Sequence, residues 1–116
     1  MEKFSITTPL TGEYLTTVRL TTGGLCTLVG FDVDGAEDYK VCVTESLLIL
    51  KRNGFSSAEI EFTVGEALGC AVIGKAEGER EDGMEDEISR ALLSALLGEV
   101  EFVKDGERVI KIVFEG

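Results

Sequence analysis

The run Asp38-Tyr-Lys-Val-Cys-Val-Thr-Glu45-Ser-Leu-Leu-Ile-Leu-Lys51 constrains this chain more than any other stretch. Its apolar residues fall on nearly every side of a helix, so the helix must be central and packed on several sides. Glu45 is a lone carboxylate within it. A charge buried there without a partner costs on the order of several kcal/mol. Glu45 is therefore a working group in a pocket, a relic of one, or a residue that escapes to solvent at a pocket mouth or pairs with a basic residue such as Lys40 or Arg52.

The flanking pattern supplies the remaining elements. Phe4 and Ile6 alternate with polar neighbours over residues 3–9, a strand ended by Pro9. Tyr14, Leu15, Val18, Leu25, Leu28 and Val29 recur at helical spacing behind a Thr11 cap, in a helix weakened by the glycines of Thr21-Thr-Gly-Gly24. Asp34 and Glu37 form a capping box for the central helix, which runs from about Ala36 to Arg52 and stops at Asn53-Gly54. Ile60, Phe62 and Val64 alternate with Glu59, Glu61 and Thr63 in a half-exposed strand, and residues 67–74 are apolar on both faces, as in a central strand. Residues 75–87 read as a charged loop. Met84, Ile88, Ala91, Leu92, Ala95 and Leu96 then mark the buried face of a third helix, ended by Gly98. A hairpin turning at Lys104–Glu107 closes the chain. The order β-α-α-β-β-α-β-β predicts one domain over residues 1–116, a two-layer α/β (α+β) sandwich whose mixed, mainly antiparallel sheet is covered by about three helices.

Composition narrows the function classes. The formal charge of −11 repels phosphate backbones and anionic lipid, which argues against nucleic-acid and membrane partners. An acidic surface serves solubility or attracts a basic protein. Cys26, Cys42 and Cys70 are widely spaced among apolar residues, with no histidine in the chain, so they read as buried hydrophobes of a reducing compartment, with no zinc site. Lack of histidine also removes Ser-His and Cys-His nucleophiles. No signal peptide or membrane span is legible, and the expected location is cytoplasmic.

A strand, a helix beginning near Tyr14-Leu-Thr-Thr-Val-Arg19, then Asp38–Ser46, and the closing segment Leu96–Phe114 together resemble bacterial anti-sigma-factor kinases of the histidine-kinase-like ATPase (GHKL, Bergerat-fold) superfamily. The resemblance covers nearly the whole chain and rests on order, lengths and apolar pattern. It implies a kinase-type fold and makes Glu45 the match to the Glu that assists phosphoryl transfer. The magnesium-binding Asn four residues on is Ile49, and an aliphatic side chain offers no oxygen ligand. In the Asp-x-Gly-x-Gly motif, Gly74 replaces the adenine-binding Asp and Ala76 the first Gly, leaving only Gly78 matched. The phosphate-approaching Gly-x-Gly falls on Glu87 and Ser89, where a carboxylate repels phosphate.

The expectation is thus a fold without a working ATP site, Glu45 being a relic and ATP and magnesium not serving as cofactors. Ile49 and apolar neighbours are expected to fill part of the former pocket. Another small ligand there would meet Glu45, Ile49, Gly74 and Gly78. The acidic segment 77–87, at the position of the family's nucleotide lid, is either a solvated loop or a docking surface for a basic partner; it lacks the ligand spacing of an EF-hand. The leading function is a regulatory protein-binding domain resembling an anti-sigma factor. By resemblance it pairs as a homodimer near Phe4, Ile6, Tyr14 and Val18 and binds a sigma factor or its antagonist. The alternatives are a divergent ATP-dependent serine kinase acting on such a regulatory partner, and a small-molecule-binding or structural subunit on the same fold.

Overall fold

The structure, a computed structural model, describes residues 1–78 and 85–116, with side chains in the second part described from residue 87. Its elements are β1 (Glu2–Pro9), α1 (Gly12–Val29), α2 (Val33–Arg52), β2 (Ser57–Val64), β3 (Leu68–Gly74), α3 (Glu85–Leu97), β4 (Val100–Asp105) and β5 (Arg108–Glu115). This is the order read from the sequence, in a two-layer α+β arrangement.

The apolar run becomes the centre of the molecule. Tyr39, Cys42, Val43, Leu47, Ile49 and Leu50 of α2 are each at most 1% exposed. The helix lies on β2, β3 and β5, with α1 against one flank and α3 against the other. The Tyr39 hydroxyl, buried with the ring, donates to the carbonyl of Leu68 at 2.8 Å, which ties the first half of α2 to the start of β3. Buried strand residues such as Ile60, Phe62, Val72 and Ile112 form the facing half of the core.

The sheet order is β1-β2-β3-β5-β4, and all four pairings are antiparallel, so the parallel component of the expected mixed sheet is absent among the described residues. The parity of the connections explains this. Two helices between β1 and β2 return the chain in the opposite direction, and so do α3 plus β4 between β3 and β5. A parallel pair needs a crossover with an odd number of such passes.

Several local expectations are corrected. Helix α2 starts at Val33, earlier than expected, and its cap is Asp32, whose carboxylate accepts from the Gly35 amide at 2.7 Å; Asp34 lies in the first turn. Thr11 occupies the N-cap position of α1 but makes no side-chain cap bond there. Helix α1 continues through its two glycines and ends at Gly30, in the left-handed region at φ 88°, where the Phe31 amide closes back on Cys26. The terminal hairpin turns on Gly106-Glu107 alone. On α3 the predicted stripe is rotated: Ile88 is 64% exposed and Ala91 and Ala95 are exposed, whereas Ser89 and Leu93 are buried. Ser89 and Leu93 share the inward face with Leu96 and Leu97, which pack against the core. Met84 lies outside the described residues.

The three cysteines are free and buried. Burial pushes the Cys42 thiol up to about 12, with Asp38 and Glu45 adding to the effect, and pushes Cys26 and Cys70 up as well. No helix among the described residues is long and apolar enough to cross a membrane.

Two outcomes follow from this packing. Asp32→Ala costs about 1 kcal/mol in denaturant unfolding, and Asp34→Ala clearly less, because only Asp32 holds an amide of the first turn. Stability is full below about pH 8.5, where thiols of the unfolded chain keep their protons, and falls as pH rises toward the raised folded-state values. Denaturation midpoints measured from pH 7 to pH 10 check the sign.

Candidate functional site

The C-terminal end of α2 is where the resemblance places nucleotide chemistry, and Asn53 organises it. This buried residue donates from its side chain to the Ile49 carbonyl at 2.8 Å and accepts the Val109 amide at 3.0 Å. It thereby joins the helix end to the start of β5. The chain then turns at Gly54, at φ 96°, and delivers Phe55 into the core at 6% exposure.

Arg108 locks this corner. Its guanidinium lies over the Phe55 ring, 4.0 Å from the centroid, and donates to the carbonyls of Asn53 at 2.7 Å and Gly54 at 3.2 Å. The same group grips both carboxylate oxygens of Glu77, at 3.1 and 2.6 Å. The hydrogen bond from Arg108 holds the Glu77 carboxyl below its usual range. Residues 75–78, expected as loop, lie beyond the end of β3 and are tied back by backbone bonds: the Ser56 amide donates to Ala76, Lys75 to Ser57 and Gly78 to Gly54, with an isolated bridge between Phe55 and Glu77.

The two glycines of the degenerate motif now have a packing role. A Cβ on Gly74 would stand 2.6 Å from the Phe55 ring, and one on Gly78 would stand 3.1 Å from the Ser56 backbone nitrogen. Both positions hold glycine because another part of the chain occupies the space. Ile49 is fully buried. The position aligned with the family's adenine-binding Asp is therefore covered by an aromatic ring, and the one aligned with its magnesium-binding Asn presents buried aliphatic carbon. These residues do not fit Mg-ATP.

Glu45 is half-buried on the flank of α2 that faces α3. Its carboxylate accepts a 2.6 Å hydrogen bond from the hydroxyl of Ser89, which in turn accepts from the Arg52 guanidinium at 2.9 Å. Of the two partners considered for Glu45, Arg52 is thus linked to it through Ser89, while Lys40 pairs with Glu37 at 2.6 Å. Glu87, the other position aligned with the phosphate loop, is exposed. Within the acidic segment, Glu77 belongs to the Arg108 clasp, and Glu79, Glu81 and Asp82 lie outside the described residues.

The four interface candidates do converge. Strand β1 is one end of the sheet, paired on one side with β2. Between it and α1 lies a groove of about 280 Å³ lined by Phe4, Ile6, Pro9, Tyr14, Val18 and Thr21, among others. Val18 is 2% exposed and forms its floor, whereas Phe4 and Tyr14 are each 44% exposed on its walls. None of the lining residues is charged.

Sequence reasoning missed Asn53 as a side-chain hub, Phe55 as a plug and Arg108 as a clasp. Apart from Ile49, four residues before Asn53, their partners lie far away in the chain, as the separations of 56 between Asn53 and Val109 and 31 between Arg108 and Glu77 illustrate, so no local pattern announces them.

Gly74→Ala is expected to destabilise by about 1–3 kcal/mol through overpacking against Phe55. Combined with Phe55→Ala, which empties that space, its added cost largely disappears. A double-mutant cycle in denaturant unfolding reads the coupling. Compared with protein-family models and with curated proteins, the chain matches none.

Proposed function

We propose that this chain is a regulatory protein-binding domain, resembling an anti-sigma factor, that acts through protein contacts and not through phosphoryl transfer. The observation that carries the reading is the uncharged groove that gathers Phe4, Ile6, Tyr14 and Val18 along an edge strand. In a chain of net charge −11, two copies repel through most of their surfaces. From Tyr14 to Val29 the sequence carries a single charged residue, Arg19, so the β1–α1 side is where copies can approach at low electrostatic cost. An edge strand with free backbone groups next to an apolar groove is a ready template for pairing. The reading is a homodimer formed there, with a sigma factor or its antagonist as the further partner, in the bacterial cytoplasm.

The plugged corner supports the negative half of the reading. Phe55 against Gly74 and Ile49 in the core leave adenine and magnesium without their expected contacts, and Ser89 with Arg52 already engages the Glu45 carboxylate. A general base with no nucleotide to act on does no phosphoryl transfer.

Light scattering after size exclusion tests the dimer. The native chain runs at twice its mass, and Tyr14→Asp, which puts a carboxylate on the groove wall, runs as a monomer with an unchanged circular-dichroism spectrum. Mg-ATP leaves the melting temperature unmoved. A ligand present at 100 times its dissociation constant would add about 2.7 kcal/mol, a shift of several degrees for a domain this size. Such a shift would restore the kinase alternative. A monomeric native chain that recovers neither a sigma factor nor its antagonist from cells would leave the small-molecule or structural reading in its place.

A further inference from the structure

Helices cover one face of the sheet; among the described residues no helix or strand lies over the other. On that open face the strand register builds a trough. One cross-strand row runs Ser5, Glu61, Ala71, Val113, Glu101, and the next runs Lys3, Thr63, Gly69, Glu115. Each row is small or apolar in the middle and acidic toward β4, β5 or β2. With Gly69 and Ala71 as the floor, the result is an open hollow of about 720 Å³, walled by Glu61, Glu99, Glu101 and Glu115. A second hollow of about 340 Å³ adjoins it, sharing Met1, Thr63 and Glu115 and adding Glu66.

The lining has a definite sign. Among the described residues, five carboxylates line the two hollows and no lysine or arginine does. Lys3 reaches Glu61 at 3.5 Å, and both side chains remain substantially exposed, so that pair offsets one charge weakly. Half-buried Ala71, Val100 and Val113 supply apolar ground between the acids. A surface of this kind is complementary to side chains with aliphatic stems and cationic heads. It repels nucleic acid and anionic lipid surfaces.

We infer that the open sheet face is a second docking surface, which takes a lysine- or arginine-rich amphipathic segment of a partner protein. The stems lie on the Gly69–Ala71–Val113 floor and the cationic heads meet Glu61, Glu99, Glu101 and Glu115. This deepens the protein-binding reading by giving the partner a chemistry. It uses the opposite side of the sheet from the helices and does not require the β1–α1 dimer.

The probe is a synthetic peptide of alternating lysine and leucine, titrated into isotopically labelled protein and followed by amide chemical shifts. Expected are shifts concentrated at Gly69, Ala71, Glu101 and Val113, and none from the same peptide with glutamate in place of lysine. The double variant Glu101→Gln, Glu115→Gln, altered only at exposed positions, weakens binding by roughly three- to tenfold. The control variant Glu13→Gln, Glu107→Gln, equal in charge and away from the trough, binds as the native chain does. Shifts scattered over all acidic surfaces, equal weakening by the control pair, or no binding at low salt would each overturn the inference. The monomeric Tyr14→Asp chain is expected to bind the peptide unchanged, so loss of the dimer and loss of the trough are read separately.

Discussion

Packing helix α2 against the sheet and a helix on each flank is the constraint from which the rest of the architecture follows. A helix that is apolar nearly all round needs a sheet beneath it and a helix on each flank, and α1, α3 and the strands supply those surfaces. Such burial leaves few places for polar atoms. Ser46 meets the need within the helix, donating to Cys42 at 2.8 Å, and Tyr39 meets it through the Leu68 carbonyl. Glu45 is the exception that the helix could not absorb alone. Its carboxylate is satisfied from α3, by the hydroxyl of the inward-facing Ser89. The face of α3 that carries Ser89 also carries Leu93, fully buried, and Leu96 and Leu97, which pack on the core, so one polar contact and an aliphatic row share the same orientation.

The end of the same helix determines what kind of site this fold can hold. A helix C-terminus leaves carbonyls without intrahelical partners. Here Asn53 takes the Ile49 carbonyl, and Arg108 takes those of Asn53 and Gly54. Arg108 reaches them only because it also rests on Phe55 and is held by Glu77. Satisfying the helix end therefore draws an aromatic ring, a guanidinium and the segment after β3 into one corner. A corner filled by its own side chains is stable, and it is a poor receptor for a nucleotide. The glycines at 74 and 78 serve that closure.

The order of elements was legible because each carries its own local period: alternation in β2, helical spacing in α1, continuous apolarity in α2. The stop at Asn53-Gly54 was legible for the same reason. Errors arose where a decision depended on distant partners. Asp34 and Glu37 match a capping box, but Asp32 sits where the chain leaves Phe31, which packs edge-on against Tyr39 and so fixes the true start of the helix. The α3 stripe was misplaced because side-chain size ranked Ile88 above Ser89. Strand direction depends on the even number of passes between β1 and β2 and between β3 and β5, which no single element displays. At the site, Phe4, Ile6, Tyr14 and Val18 were legible as a group from resemblance. Phe55 and Arg108 were not, since nothing next to either residue indicates what it closes.

The distribution of charge gives the two surfaces opposite physical characters. The β1–α1 groove is neutral, and pairing there brings together two bodies of charge −11 each. Salt shortens the range of that repulsion to about 8 Å at physiological strength, so it favours the copies' approach and leaves the apolar contact untouched. A cationic segment in the acidic open-face trough would be held by attraction, which the same screening weakens. A single change in ionic strength thus pushes the two associations in opposite directions, with no conformational change required. If both surfaces act as proposed, dimerisation strengthens with salt while partner binding weakens. Two surfaces of the same character would move together.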